Sequence, residues 1–207
     1  MKLHYLFPEP VYLSKLERKL TTQELKTINK FKDKSYLKKD STSGGNNIIS
    51  NDKYILEDKT LKNLKKDLYT IVLDYFKTIT CTDNSVVPYI TQSWVNYTET
   101  NQYHHIHNHH NSYLSGVFYI NADIKVDKIT FYKVITDTIK LNVAKYNIFN
   151  ASSWWYPVKS KDVILFPSHL NHGVENKKGN KTRISLAFNV FLKGTIGNKN
   201  ELTELIL

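Results

Sequence analysis

Asp162-Val-Ile-Leu-Phe-Pro-Ser-His-Leu-Asn-His172, followed by Thr182-Arg-Ile-Ser-Leu-Ala-Phe-Asn189, is the text that decides the fold. An apolar run closes on Pro167, a polar turn follows at 168–171, and His172 opens a new segment. Side chains alternate faces along a strand, so Arg183, Ser185, Ala187 and Asn189 share one face. Ile184, Leu186 and Phe188 take the other, apolar one. An arginine that opens a strand beside a serine suits a carboxylate, which it grips as a fork with the hydroxyl as a second donor. The plainer alternative for Arg183 is a surface salt bridge.

Outward from this stretch the same short-strand grammar runs from about residue 86. It predicts strands at Tyr89–Tyr97, Leu114–Ile120, Lys128–Val134, Thr138–Tyr146, Trp154–Val158, Asp162–Phe166, His172–Glu175 and Arg183–Leu192. Many short strands at close spacing predict a sandwich or barrel. Upstream, Thr21 and Glu24 have capping-box spacing, and Leu25, Ile28 and Phe31 continue a helix over about 22–32. Leu61, Leu64, Leu68, Val72, Tyr75 and Ile79 mark an amphipathic helix over about 59–79. The polar text Asp40–Asn47 predicts a flexible loop. The expected class is mainly β with N-terminal helices, a jelly roll braced by helices on one sheet. One domain is expected over 1–207: a helical and extended support at 1–85, a β core at 86–192 and a C-terminal tail at 193–207.

Composition narrows the function classes. Hydrophobic residues make up 41% and aromatics 13% of 207 residues, as in an ordinary globular chain. No apolar run approaches the roughly 18–20 residues of a membrane span. Residues 1–10 lack a basic patch followed by an apolar core, and Cys81 is the only cysteine. Both facts predict a cytoplasmic chain, in the host cytoplasm if the source is viral. The net charge of +10 is nearly all lysine, and Arg18 and Arg183 are the only arginines. A nucleic-acid partner is therefore compatible but not favoured.

The eight histidines are not scattered. His104, His105, His107, His109 and His110 fall within seven residues, and His169 and His172 follow about sixty later. Imidazole is a common ligand for Fe, Zn, Ni and Cu. In an extended run, His105, His107 and His109 would line one face, and His104 and His110 would not join them. A same-face pair and a distant histidine on a facing strand make a three-point metal set. His169 reads as an exposed loop residue.

The run His107-Asn-His-His-Asn-Ser-Tyr-Leu-Ser-Gly-Val-Phe-Tyr119, then Ile164-Leu-Phe-Pro-Ser-His-Leu-Asn-His172, then Arg183-Ile-Ser185 and Phe188-Asn189, resembles the 2-oxoglutarate/Fe(II)-dependent oxygenases. More narrowly it resembles the group found in phages and marine bacteria. The resemblance covers about residues 90–192 and takes in Ser93-Trp94-Val95-Asn96. It implies a double-stranded β-helix, cupin-like, with Fe(II) and 2-oxoglutarate as cofactors and molecular oxygen as co-reactant. The implied reaction is oxidative decarboxylation of 2-oxoglutarate coupled to hydroxylation of a small-molecule or protein substrate. Peptidyl proline, a free amino acid, a nucleobase and a lipid are all compatible.

By position, His107 resembles the family's first metal ligand and His172 the distal one. Arg183 resembles the partner of the cosubstrate's far carboxylate, and Ser185 its hydroxyl companion. Tyr119 and Asn96 are further cosubstrate contacts, and no catalytic group is expected beyond the metal ligands. The chain departs from the family pattern where an acid is expected two residues after the first ligand, because His109 stands there. The ligand set is then His107, His109 and His172, with a register using His105 as the alternative and Glu99 as an acid from elsewhere. Trp94, Tyr119, Trp154 and Trp155 are candidate pocket walls, although core packing is the plainer expectation for each. Two other readings stay open: a cupin-like three-histidine dioxygenase that does not use 2-oxoglutarate, and a non-enzymatic jelly-roll binding module.

Overall fold

The period-two text folds into strands that pass back and forth between two sheets. The structure is a computed structural model that describes residues 2–33, 35–37, 45–134, 139 and 141–207. In chain order the elements are β1 (Tyr12–Lys15), α1 (Thr22–Asp33), β2 (Ser35–Leu37), β3 (Ile48–Ser50), α2 (Lys62–Tyr75), β4 (Val86–Thr98), β5 (His104–His107), β6 (Leu114–Asn121), β7 (Lys128–Tyr132), β8 (Ser153–Pro157), β9 (Asp162–Pro167), β10 (Asn171–Val174), β11 (Arg183–Ile196) and β12 (Leu205–Ile206). Among the described residues the larger sheet runs β1-β9-β6-β11-β4-β3-β2, and the smaller runs β5-β10-β7-β8. From β4 to β11 the chain alternates between them, except for the β7–β8 pair within the smaller sheet, which is the jelly-roll winding.

Alternation along each strand divides the apolar side chains between two clusters. Leu186, Phe188 and Val190 of β11, Val163 and Leu165 of β9 and Val95 and Tyr97 of β4 face the helices. Leu64, Leu68, Val72 and Tyr75 of α2 meet them as one buried stripe. Each such side chain contributes about 2 kcal/mol on leaving water. On the opposite face, Tyr119, Ile164 and Phe166 pack with Ile129, Phe131 and Val158 between the two sheets. The site described below occupies one end of this inter-sheet layer.

The helix α1 starts as its capping box requires. Glu24 N–H donates to Thr21 Oγ1 at 3.2 Å, and Thr21 N–H donates to Glu24 Oε2 at 2.7 Å. Arg18 forks the same carboxylate at 2.6 and 2.7 Å, which fixes it while it is buried. Tyr97 donates its hydroxyl to Ile28 O at 2.7 Å and ties α1 to β4. Of the row expected from the text, Ile28 is buried and Phe31 packs against the core, but Leu25 is 41% exposed, and Glu24 and Thr27 complete the buried stripe. A 3-10 turn at Lys59–Leu61 precedes α2, and a π-turn at Phe76–Thr80 follows it. Cys81, at φ 52°, stops the helix, and Ile79 is exposed.

Two expectations fail here. Residues 139 and 141–146 form no strand; Thr138 and Lys140 lie outside the described residues. The cause is the lack of a partner: β8 is the end strand of the smaller sheet, and Ile139, Leu141 and Tyr146 stand in solvent. Most of the expected loop at 40–47 lies outside the described residues, but Gly45 bridges to His104 and Asn46 exchanges hydrogen bonds with Tyr103. Segment 193–207 is not a plain tail, since β11 runs on to Ile196 and pairs with β12. Among the described residues, no helix is long and apolar enough to cross a membrane.

Candidate metal and carboxylate site

The site is built where β5 and β10 of the smaller sheet face β4, β6 and β11 of the larger. His172 lies directly opposite His107 across the β5–β10 ladder. The next pairing is Val174 with His104, so three steps on β5 match two on β10. This is a β-bulge. It breaks alternation and brings His104 onto the same side as His107, with their rings stacked 4.4 Å apart. The expectation that His104 stays off the site face is corrected on this ground, for the spacing rule assumed a regular strand. Gly173 allows the close approach: a Cβ there would stand 3.2 Å from the carbonyl oxygens of His104 and His105.

His109 lies beyond the end of β5, held by its backbone N–H on Ser168 O at 2.9 Å. One ring nitrogen each of His107, His109 and His172 lie within 4.8 Å of one another. The other nitrogen of each is engaged. His107 Nδ1–H donates to His105 O at 2.8 Å, and His172 Nδ1–H to Leu170 O at 3.0 Å. His109 Nδ1–H donates to Asn189 Oδ1 at 2.6 Å, with Ser115 Oγ 2.8 Å away. Ser115 is in turn bonded to the buried Ser168 at 2.8 Å. Donation from Nδ1 to a fixed oxygen sets the tautomer and leaves Nε2 as the nitrogen with the lone pair.

Burial pushes His172 down to about 3, helped by its neighbours His107 and His109. Burial and His107 likewise push His109 down to about 4. Both imidazoles are therefore neutral near pH 7, the form that ligates metal.

The carboxylate half comes from one row of the larger sheet. Ser185 of β11 pairs with Asn96 of β4 on one side and Tyr119 of β6 on the other, so the three stand abreast on the inner face. Arg183 is two residues along the same face and is 3% exposed. Its Nη2 donates to Thr98 Oγ1 at 3.1 Å, while its buried Nε has no partner among the described residues. Burial lowers the Arg183 pKa, and the charge of Asp127 opposes that shift. Asp127 itself is held by the buried Lys177 at 3.2 Å. Burial raises the Tyr119 pKa well above its ordinary value, so its hydroxyl stays protonated. A narrow cavity of about 40 Å³ is lined by both halves, with Trp94 as an added wall 5.7 Å from the His109 ring.

The structure thus brings together His107, His109, His172, Arg183, Ser185, Tyr119 and Asn96. His105 belongs to a separate group with His104 and His107 and does not join His172. Glu99 is not at the site: it pairs with Lys32 on the surface at 3.3 Å. No carboxylate lines the cavity among the described residues. Trp154 and Trp155 do not line this cavity; both are exposed on the edge strand β8, where Trp154 borders a separate groove. His169 is exposed and faces Glu9. Sequence reasoning missed the anchors Asn189, Ser115 and Ser168. For Asn189 the signal was present, since it shares the Arg183 face of β11.

The residues fit the two groups the fold implies. Three convergent imidazole nitrogens suit a first-row divalent metal. A buried guanidinium with an unsatisfied N–H, flanked by hydroxyls, suits a carboxylate.

Comparison with known proteins agrees. A family model described as "Putative 2OG-Fe(II) oxygenase" matches residues 92–189. No curated protein matches the sequence. Among solved structures, a 2OG-Fe(II) oxygenase family oxidoreductase from Burkholderia pseudomallei has a TM-score of 0.57 at 10% identity, covering 87% of this chain and 84% of that one. HygX from Streptomyces hygroscopicus, with nickel, 2-oxoglutarate and hygromycin B bound, has a TM-score of 0.56 at 11% identity, covering 88% and 82%. A prolyl hydroxylase from Trichoplax adhaerens, in complex with a hypoxia inducible factor peptide fragment, has a TM-score of 0.53 at 12% identity, covering 82% and 77%.

Proposed function

We propose that this chain, whose residues 92–189 match the family model described as "Putative 2OG-Fe(II) oxygenase", is a 2-oxoglutarate/Fe(II)-dependent oxygenase that holds Fe(II) on His107, His109 and His172 and 2-oxoglutarate against Arg183. When bound, the iron and its cosubstrate supply oxidative decarboxylation of 2-oxoglutarate by molecular oxygen, coupled to hydroxylation of a substrate C–H bond. The chain's own residues bind and orient. Arg183, with Ser185, Asn96 and Tyr119 beside it, grips the far carboxylate. The Asn189, Leu170 and His105 oxygens keep the three imidazoles in one tautomer. Trp94, Val117 and Ile129 keep the cavity walls apolar and exclude water.

The observation that carries this reading is the convergence of one ring nitrogen each of His107, His109 and His172 beside the buried guanidinium of Arg183. Three neutral imidazoles leave one more positive charge on the site than two imidazoles and a carboxylate would. With Arg183 added, the cavity favours a dianion. Arg183 also argues against a three-histidine dioxygenase that dispenses with 2-oxoglutarate, because that chemistry gives a buried guanidinium nothing to bind. Peptidyl and small-molecule substrates both suit this scaffold, as the neighbours' ligands illustrate.

Anaerobic titration with Fe(II) and 2-oxoglutarate tests the assignment. One iron per chain and a weak visible charge-transfer band are expected, and both are lost in His172→Ala. The reading fails if the band never forms and His172→Ala leaves the metal content unchanged.

A further inference from the structure

The histidine run contains a second convergent group that the proposed reaction leaves unused. One ring nitrogen each of His104, His105 and His107 also lie within 4.8 Å of one another. Their ring centroids are 4.4, 4.8 and 5.1 Å apart. Without the bulge in β5, His104 would face away from His107 and the group would not exist.

Two cavities meet at this group. The inner one, about 40 Å³, is lined by His104, His107, His109 and His172. On the other side an open groove of about 640 Å³ is lined by His104 and His105. His104 borders both.

His107 is common to both groups. Its Nδ1–H is committed to His105 O, so a single nitrogen serves either set. The two groups cannot both be complete, which suits transfer better than double occupancy.

We propose that His104, His105 and His107 form an outer site that captures a first-row divalent cation from the groove and passes it to His109 and His172, with His107 as the shared ligand. The proposal rests on the inner site argued above.

Stopped-flow mixing of the metal-free chain with Co(II), followed by the visible ligand-field bands, tests it. The wild-type chain should take up one Co(II) tightly in two phases, a capture that depends on Co(II) concentration and a transfer that does not. H104Q/H105Q should hold the same one Co(II) but load about tenfold more slowly. H109A/H172A should still bind Co(II) through histidine, more weakly. Loading of H104Q/H105Q at the wild-type rate, or no Co(II) binding by H109A/H172A, overturns the outer site and leaves the inner one standing. A wild-type chain without tight Co(II) overturns the inner site, and the relay with it. Should the H104Q/H105Q chain lose the wild-type circular dichroism spectrum, the single variants H104Q and H105Q carry the same prediction.

Discussion

Replacing Arg183 with Met should stabilise the ligand-free chain and at the same time destroy its grip on 2-oxoglutarate. The guanidinium is 3% exposed and, among the described residues, has one hydrogen bond, to Thr98 Oγ1, and leaves Nε without a partner. Asp127, whose charge acts on it, is already engaged by Lys177. An ion buried without its counter-charge costs several kcal/mol, of which the Thr98 bond and Asp127 offset only part. A methionine fills similar space without that cost, so Arg183→Met should add about 1–3 kcal/mol to the ligand-free chain. For a chain of this size that is a Tm rise of about 2–10 °C. Loss of a desolvated carboxylate contact costs about 2–5 kcal/mol of binding. The Kd for 2-oxoglutarate should then rise by roughly 30-fold to several thousand-fold. Thermal unfolding with and without 2-oxoglutarate, with Kd from titration calorimetry, reads both effects. Wild type should gain Tm on adding 2-oxoglutarate and the variant should not. A ligand-free variant that melts well below wild type, or one that keeps wild-type affinity, would make Arg183 a structural strut and refute the argument.

Two further outcomes follow from packing and charge. Gly116→Ala should destabilise the chain by about 1–3 kcal/mol or more, because the new Cβ would stand 2.2 Å from Cζ of the fully buried Phe188 ring; an unchanged urea midpoint would mean that this ring can move aside. Acid should weaken the metal-free chain. His109 and His172 are held at about 4 and about 3 when folded, against 6.5 when unfolded, so the unfolded chain takes up their protons first. Their contribution is complete above about pH 6.5 and is lost as pH falls toward 3, by about 3 kcal/mol for His109 and about 5 kcal/mol for His172. Urea midpoints of the metal-free chain should therefore fall between pH 7 and pH 5, and a flat profile contradicts the shifts.

Most of the fold was legible because burial on one face leaves a period-two or helical trace. The text of β11 showed it most clearly: Arg183, Ser185 and Asn189 fell on the cavity face, and Leu186 and Phe188 on the helix-packed face. The expected strand at 138–146 failed because β propensity shows as pattern, whereas pairing needs a neighbour, and the smaller sheet ends at β8. Leu25 and Ile79 misled for a related reason: a helical stripe locates a face only within about one turn, and both lie at its margin. Within the site, the three-histidine set was readable from spacing and resemblance. The part played by His104 was not, since a bulge has no residue signature of its own and appears only once β5 is laid against β10. The hydroxyl and amide anchors of His109 were hidden because Ser115, Ser168 and Asn189 converge from three separate strands or turns.

Because a bulge and not alternation decides which imidazoles of β5 share a side, the chemistry of this site is stored as chain length as much as residue identity. Substitution at one position between 104 and 107 exchanges a single donor and leaves the others where they are. Insertion or deletion of one residue there re-phases the strand and carries every donor upstream to the opposite side at once. A scaffold meant to host this centre has to copy a backbone irregularity along with its side chains. A library of fixed length over these residues samples ligands, whereas one of variable length samples coordination geometry.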